Sequence, residues 1–237
     1  MRPLLTSPNL WPTLLLALAL PVAAEDQFAN FPDDDLEARI AAVNDGELRF
    51  LPEPTAKPVH RHQNEIEIAP ASLDQGWVEL RQCHRHLDPV PAAEIVFRAG
   101  RARGLRVLSS QGIGAARPEG ASVQLRDVQP GAELCLALQS RALEALPGGG
   151  YRLRNGPYMR RFLDGYYPME VSIRVRYPAQ LLALQGFDPA PQPGFRLHTA
   201  PGEIELDARF EGRLHTRFDF CLRSAPDCPV AANDDLP

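Results

Sequence analysis

Two stretches of the sequence decide the fold class: HRHQNEIEI at residues 60–68 and WVELRQCHRHL at residues 77–87. Apolar and polar residues alternate in much of both, and residues two positions apart in an extended chain point to the same side. This pattern is typical of antiparallel strands that bury one face. We therefore predict two strands here, joined as a hairpin through residues 69–76.

Four of the six histidines, His60, His62, His84 and His86, come together in this hairpin if its apolar residues oppose one another. In that register His62 opposes His84 and His60 opposes His86, with Cβ atoms about 4.5–5.5 Å apart. Neutral imidazole binds Zn²⁺ and Cu²⁺, so the four side chains are a candidate site for either metal. A register shifted by two residues opens the cluster, and the histidines then form an exposed polar patch.

Further strands are predicted where the alternation recurs between Gly- and Pro-containing turns. They lie at residues 94–98, 105–109, 122–128, 134–139, 170–177, 203–210 and 214–222. Turns at this spacing are typical of β-sandwiches. We predict an all-β, antiparallel, sandwich-like fold with two tandem β regions, the first at 58–146 and the second at 169–237.

The N-terminus predicts export. Arg2 precedes an apolar run at residues 14–20, and the small residues PVAA at 21–24 precede Glu25. This order is typical of a secretory signal peptide, here residues 1–24. No later stretch approaches the ~20 apolar residues that span a bilayer. We therefore expect no transmembrane segment after cleavage, and a periplasmic or secreted location.

An acidic, proline-rich arm is predicted at residues 25–57, between the signal peptide and the first β region. Leu36, Ile40 and Val43 fall on one helical face, and aspartates suit the first turn of a helix. The arm is therefore expected to contain one short helix at residues 33–43.

The four cysteines predict two disulfide bonds. An even number of cysteines in an exported protein favours disulfides, and four allow three connectivities. We prefer Cys83–Cys135, which ties two predicted strands of the first β region, and Cys221–Cys228, which closes a short C-terminal loop.

A connector between the two β regions is predicted at residues 147–168, which begin with PGGG and end with NGPYMRRFLDGYYP. Met159, Phe162 and Leu163 have helical spacing, which predicts one buried turn rather than a strand.

The predicted turn leaves Arg160 and Arg161 free beside Tyr166 and Tyr167. Paired guanidinium groups near aromatic rings can bind a carboxylate, a phosphate or an aromatic partner by bidentate hydrogen bonds and stacking. We name these four side chains as candidate partner-binding residues. In the alternative interpretation the segment is only structural, and one arginine pairs with Asp164.

Sequence motifs do not point to an enzyme. The motifs G-x-S-x-G and H-E-x-x-H and the P-loop are absent from the sequence. The stretch GIGAAR at residues 112–117 lacks the βαβ context of a dinucleotide-binding fingerprint, so we predict a turn there. A net formal charge of −5 argues against a nucleic-acid partner.

The expected function is that of a non-catalytic binding or assembly module of the bacterial cell envelope. Exposed loops on a rigid β scaffold commonly carry binding sites, and the partner would be another envelope protein or a small anionic ligand. The alternative is a periplasmic protein that binds zinc or copper through the four histidines. An enzyme with an unfamiliar active site is the third possibility.

Overall fold

A computed structural model describes residues 46–162, 165–226 and 228. The predicted signal peptide and the predicted helix at residues 33–43 lie outside these residues. The described chain is almost entirely β-structure, with one short helix, α1 (Ser72–Gln75), and a 3-10 turn at Pro147–Gly149. The prediction of an all-β fold is confirmed. No helix among the described residues is long and apolar enough to cross a lipid bilayer.

Fifteen strands make up this β-structure. They are β1 (Arg49–Phe50), β2 (Arg61–Glu67), β3 (Trp77–Leu87), β4 (Val90–Val96), β5 (Ala102–Glu119), β6 (Ser122–Arg141), β7 (Leu143–Leu146), β8 (Gly150–Tyr158), β9 (Arg160–Phe162), β10 (Gly165–Tyr167), β11 (Met169–Arg176), β12 (Leu182–Asp188), β13 (Phe195–Ala200), β14 (Glu203–Glu211) and β15 (Leu214–Leu222).

Two large sheets pack on one apolar core, and together they form a sandwich-like fold. The nine-stranded sheet has the order β1-β14-β11-β2-β3-β6-β4, with β13 beside β14 and β5 beside β6. The four-stranded sheet has the order β12-β15-β8-β7, and β9 and β10 form a separate two-stranded sheet. The core includes fully buried side chains from both large sheets: Ile173, Ile204, Phe210, Leu153, Leu182 and Phe218.

Period-two alternation explains why these strands bury one face. In β11, Val171, Ile173 and Val175 are buried, whereas Arg174 and Arg176 between and after them are exposed. Burying one large apolar side chain contributes roughly 1.5–3 kcal/mol. The sequence of β11 is therefore compatible with only one orientation toward the core, because a shift by one residue would bury its arginines.

The two predicted β regions share the nine-stranded sheet. Strand β2 of the first region pairs in parallel with β11 of the second, and Ile66 is aligned with Val175. The residues predicted as a connector, 147–168, form β8, β9 and β10, and β8 lies inside the four-stranded sheet. The structure differs from the sequence prediction because the buried faces of both regions contribute to one core.

A second apolar core lies where β5 and β6 fold over together. Leu125 and Leu134, from the two halves of β6, belong to this one buried cluster. The halves are separated by Gly131, and β5 has a matching irregularity at Gly112, which adopts a left-handed backbone with φ 65°. A glycine suits this conformation because it lacks a Cβ. The turn predicted at 112–117 is therefore wrong, since these residues continue β5 through a bulge.

Both predicted disulfide bonds are confirmed. Cys83 and Cys135 are directly opposed on β3 and β6, with Cα atoms 4.1 Å apart. Cys221 and Cys228 close the predicted C-terminal loop, with Cα atoms 5.6 Å apart. Two disulfides are typical of a protein that folds in an oxidising compartment.

Candidate functional site

The predicted register of β2 and β3 is confirmed. The strands are antiparallel, and His62 is paired with His84, two positions from the pair of Asn64 and Gln82. All four side chains share one face because strand neighbours two positions apart point to the same side. The same register that pairs Ile66 with Leu80 therefore also pairs His62 with His84.

Three histidines gather at this end of the sheet. The ring centroids of His62 and His84 are 4.5 Å apart, and those of His60 and His84 are 5.2 Å apart. His60 precedes the first residue of β2, and its backbone oxygen accepts a hydrogen bond from the Glu170 amide at 3.0 Å. This backbone hydrogen bond to β11 thus positions the imidazole of His60.

His86 does not join the other three, so the predicted four-histidine cluster is not formed. Its backbone is left-handed, with φ 53°, and the register of β3 with β6 shifts between His84 and Leu87. An inserted residue in a strand reverses the direction of the side chains that follow. His86 is exposed, and no described hydrogen bond or ring contact connects it to the cluster.

A hydrogen-bond chain runs through Gln82, His84 and His60. The Gln82 side-chain amide donates to His84 Nε2 at 2.7 Å. Because that nitrogen accepts, the neutral ring carries its proton on Nδ1, which donates to His60 Nε2 at 3.0 Å. Gln82 and His84 are each 5% exposed. The polar side-chain atoms in this chain therefore have hydrogen-bond partners while both residues are uncharged.

A second chain links the two large sheets. His62 Nε2 donates to Asn64 Oδ1 at 3.0 Å, and the Asn64 amide donates to the Tyr158 hydroxyl at 2.7 Å. The His62 ring also contacts the Tyr158 ring edge to face, with centroids 5.0 Å apart. Tyr158 is the last residue of β8, so the network fixes the point where the chain leaves the four-stranded sheet.

Burial keeps the three imidazoles neutral at pH 7. Desolvation lowers the pKa of His60 and of His62 to about 4, and it lowers the pKa of His84 well below 6.5. Neighbouring charges act less strongly: Asp88 raises the pKa of His60 and Arg160 lowers it. These three histidines, together with Asn64, Gln82 and Tyr158, are called the histidine network below.

The four histidines predicted as a zinc or copper site are not all brought together, because His86 lies apart from the other three. No group of three or more His, Cys, Asp or Glu side chains within residues 46–162, 165–226 and 228 is placed to hold a metal ion. Both ring nitrogens of His84 already have hydrogen-bond partners, in Gln82 and His60. The structure therefore presents the cluster as a hydrogen-bonded network.

Arg160 lies next to this network and is not free, contrary to the sequence prediction. Its guanidinium donates two hydrogen bonds to the Asp88 carboxylate, at 2.6 and 2.9 Å, and one to the Pro168 carbonyl at 3.3 Å. It also lies over the Tyr167 ring, 5.7 Å from the centroid. Arg160 thus anchors the base of the β9–β10 hairpin.

The β9–β10 hairpin replaces the buried helical turn that the sequence predicted. Arg161 is paired with Tyr166, and Arg160 with Tyr167. Phe162 is 38% exposed and Met159 is 42% exposed, so neither contributes to a buried turn. Short strand pairing between the arginines and tyrosines decides the local structure.

Two guanidinium groups lie over the ring of Tyr166. Arg161 is 5.5 Å and Arg213 5.4 Å from its centroid, and both arginines are exposed. Neither has a carboxylate partner among the described residues. Sequence reasoning missed Arg213, which lies between β14 and β15, because nothing in its local sequence indicates that this turn reaches the hairpin.

No protein-family model matches the sequence, and no curated protein matches it. Three solved chains match, among them a two-domain M1 zinc metallopeptidase mutant bound to L-tryptophan, with 14% identity and a TM-score of 0.35. That match covers 76% of this chain and 44% of the metallopeptidase chain. It shows no family.

The candidate site therefore has two parts that differ in exposure. His84 of the histidine network is buried and His60 and His62 are half-buried, whereas Arg161 and Phe162 of the hairpin beside it are exposed.

Proposed function

We propose that the protein is an exported, non-catalytic binding module of the bacterial cell envelope that binds an acidic segment of another envelope protein through the β9–β10 hairpin. The observation that carries the proposal is the pair of guanidinium groups, from Arg161 and Arg213, over the one ring of Tyr166. Neither arginine has a carboxylate partner among the described residues.

The chemistry of the hairpin supports recognition of a carboxylate. A guanidinium group offers a planar set of donors that matches a carboxylate in a bidentate fashion, and these hydrogen bonds are stronger than neutral ones. Because Tyr166 lies against both guanidinium groups, their side chains are already ordered before the partner arrives, which lowers the entropic cost of binding.

The apolar residues of the hairpin support a protein partner over a free anion. Phe162 and Met159 are exposed, and aromatic residues, methionine and arginine are enriched at protein interfaces. A free anion would use only the two arginines. A polypeptide with acidic and apolar residues would use both groups.

Export is part of the same proposal. The N-terminal pattern predicts a cleaved signal peptide, and Cys83–Cys135 and Cys221–Cys228 are disulfide bonds. Disulfides persist in the periplasm and outside the cell, where thiols are not kept reduced.

The experiment begins with a photo-crosslinking amino acid at position 162 and, as a control, at Leu181, which is 37% exposed. Cells that produce each variant are irradiated, and the crosslinked protein is identified by mass spectrometry. We expect a specific adduct from position 162 that is absent from position 181. Equal adducts from both positions, or none from position 162, would overturn the proposal.

The identified partner is then purified for affinity measurements. We expect Arg161→Ala and Arg213→Ala each to weaken binding about 10-fold or more, since a hydrogen bond to a charged group contributes roughly 1.5–3 kcal/mol. Arg196→Ala is the matched control, because its side chain is 86% exposed on β13. If all three variants bind like the wild type, the arginine pair is not the site.

A further inference from the structure

The histidine network and the β9–β10 hairpin are mechanically connected. Tyr158, which accepts the hydrogen bond from Asn64, is two residues before Arg160. Arg160 is held by Asp88, and both of these charges act on His60. The chain therefore enters the hairpin through two positions, 158 and 160, that are held by the network or by a charge pair next to it.

Protonation is incompatible with the hydrogen bonds of the network. His84 Nε2 accepts from the Gln82 amide, and His60 Nε2 accepts from His84 Nδ1. A proton added to either acceptor would place two donors opposite each other at 2.7 or 3.0 Å. The hydrogen bonds, in the arrangement that they have here, are made with both imidazoles neutral.

Charge repulsion acts in the same direction. A protonated His60 would be a cation facing Arg160, and protonated His62 and His84 would repel it and each other. Among the residues that the structure describes, Asp88 is the carboxylate that acts on His60, and it already binds Arg160. A positively charged His60 would compete with Arg160 for that carboxylate.

We propose that His60, His62 and His84 form an acid-sensitive latch, which holds the β9–β10 hairpin in place while the imidazoles are neutral and releases it when they are protonated. The consequence for partner binding rests on the proposed function, since the hairpin is the surface assigned to the acidic partner. At acid pH a released hairpin separates Arg161 from Arg213, and the affinity for the partner falls.

The groups that face the latch set the pH at which it opens. Burial opposes protonation of all three imidazoles, so release occurs near pH 4 rather than near the usual imidazole pKa of about 6.5. Asn64 and Gln82 partly favour protonation of His62 through their hydrogen bonds, and Asp88 favours that of His60.

Amide hydrogen exchange tests the latch without the partner. Protection factors, corrected for the intrinsic effect of pH, are measured by mass spectrometry for residues 158–167 and for β14 as an internal reference. We expect protection of residues 158–167 in the wild type to fall between pH 7 and pH 4 by at least about 10-fold more than that of β14, which reports global unfolding. An equal fall in both segments would overturn the latch. Protection that stays within about 2-fold would overturn the latch.

Neutral variants identify the groups that titrate. In the double variant His60→Gln with His84→Gln, His62 is the one latch histidine that still titrates, so the fall in protection of residues 158–167 between pH 7 and pH 4 should be clearly smaller than in the wild type. His198→Gln is the control, because His198 lies on β13, and it should behave like the wild type. A fall in protection as large in the double variant as in the wild type would overturn the latch.

A titration of the wild type covers the case in which the double variant does not fold. The ring Cε1–Hε1 signals of the three histidines, followed by NMR, should titrate with midpoints that coincide with the loss of protection. Titration without that coincidence would overturn the latch. If the partner cannot be found, the exchange result still decides the latch, and if binding is lost at pH 4 with protection unchanged, the latch is wrong while the binding surface stands.

Discussion

The Asp88 carboxylate holds the base of the β9–β10 hairpin by accepting two hydrogen bonds from Arg160. Its side chain is 28% exposed and that of Arg160 21%, so the pair is partly shielded from water. We expect Asp88→Asn to lower the free energy of unfolding by about 1–3 kcal/mol, as for other hydrogen bonds to charged groups. Denaturation in urea at pH 7 measures the change.

The control for that substitution is Glu144→Gln. Glu144 pairs with Arg154 at 3.7 Å, and both side chains are 61% exposed. An exposed pair of this kind contributes less than about 1 kcal/mol. Equal losses from Asp88→Asn and Glu144→Gln would show that the partial burial of the Asp88 pair has no energetic consequence.

Titration of the buried histidines predicts how stability depends on pH. The pKa of His60 and of His62 is about 4 in the folded protein, against about 6.5 in the unfolded chain. The unfolded chain therefore binds protons at a pH where the folded protein does not. The two histidines therefore lower the free energy of unfolding by an amount that is absent above pH 6.5, grows as the pH falls toward 4, and then levels off.

The expected loss of unfolding free energy is on the order of 3 kcal/mol for each of these two imidazoles by pH 4. Urea denaturation at pH 7 and pH 4.5 compares the wild type with the double variant His60→Gln and His62→Gln. The pH-dependent loss should be smaller in the variant. An unchanged loss would mean that carboxylates, rather than these histidines, control acid stability.

Among the strands, the disulfide between β3 and β6 should stabilise more than the C-terminal one. Cys83 and Cys135 are separated by 52 positions, whereas Cys221 and Cys228 are separated by 7. Loop-closure entropy gives about 4 kcal/mol for the longer loop and about 2 kcal/mol for the shorter one. Thermal unfolding of the two double Cys→Ser variants measures both, and a reversed order would contradict the prediction.

The strands that the sequence predicts well are those with an apolar face of their own. Strands β2 and β3 alternate regularly, so their apolar residues fix both the strand bounds and the register that brings His62 opposite His84. The disulfide Cys83–Cys135 follows from the same regularity, because its cysteines are opposed on regular strands.

The elements that the sequence misses depend on contacts made elsewhere. In NGPYMRRF, residues 155–162, only Tyr158 is buried, so no alternation indicates a strand. Gly186 interrupts the pattern of β12, where the pairing with β15 shifts register. His86 is displaced by a bulge that no residue type in the sequence indicates. Arg213 contacts Tyr166 of the hairpin only because of the way the β14–β15 turn folds.

Across the whole molecule, the shared nine-stranded sheet predicts one cooperative unfolding transition for the sandwich. Strand β11 lies between β14 and β2, so neither predicted β region keeps its sheet without the other. We expect a single calorimetric transition with equal calorimetric and van't Hoff enthalpies. A fragment of residues 169–237 should be unfolded by circular dichroism, and an independently folded fragment would contradict this prediction.

The parallel pairing of β2 with β11 also determines when the chain can complete its fold. Arg61 donates a hydrogen bond to Ser172, 111 positions later. A chain that crosses a membrane N-terminus first, as the proposed export requires, delivers β2 long before its partner strand. The edge of β2 that pairs with β11 therefore stays unpaired during translocation. A high share of contacts between residues far apart in sequence slows folding. Chaperones that shield unpaired strand edges would have most of their effect on this chain before residue 176 emerges.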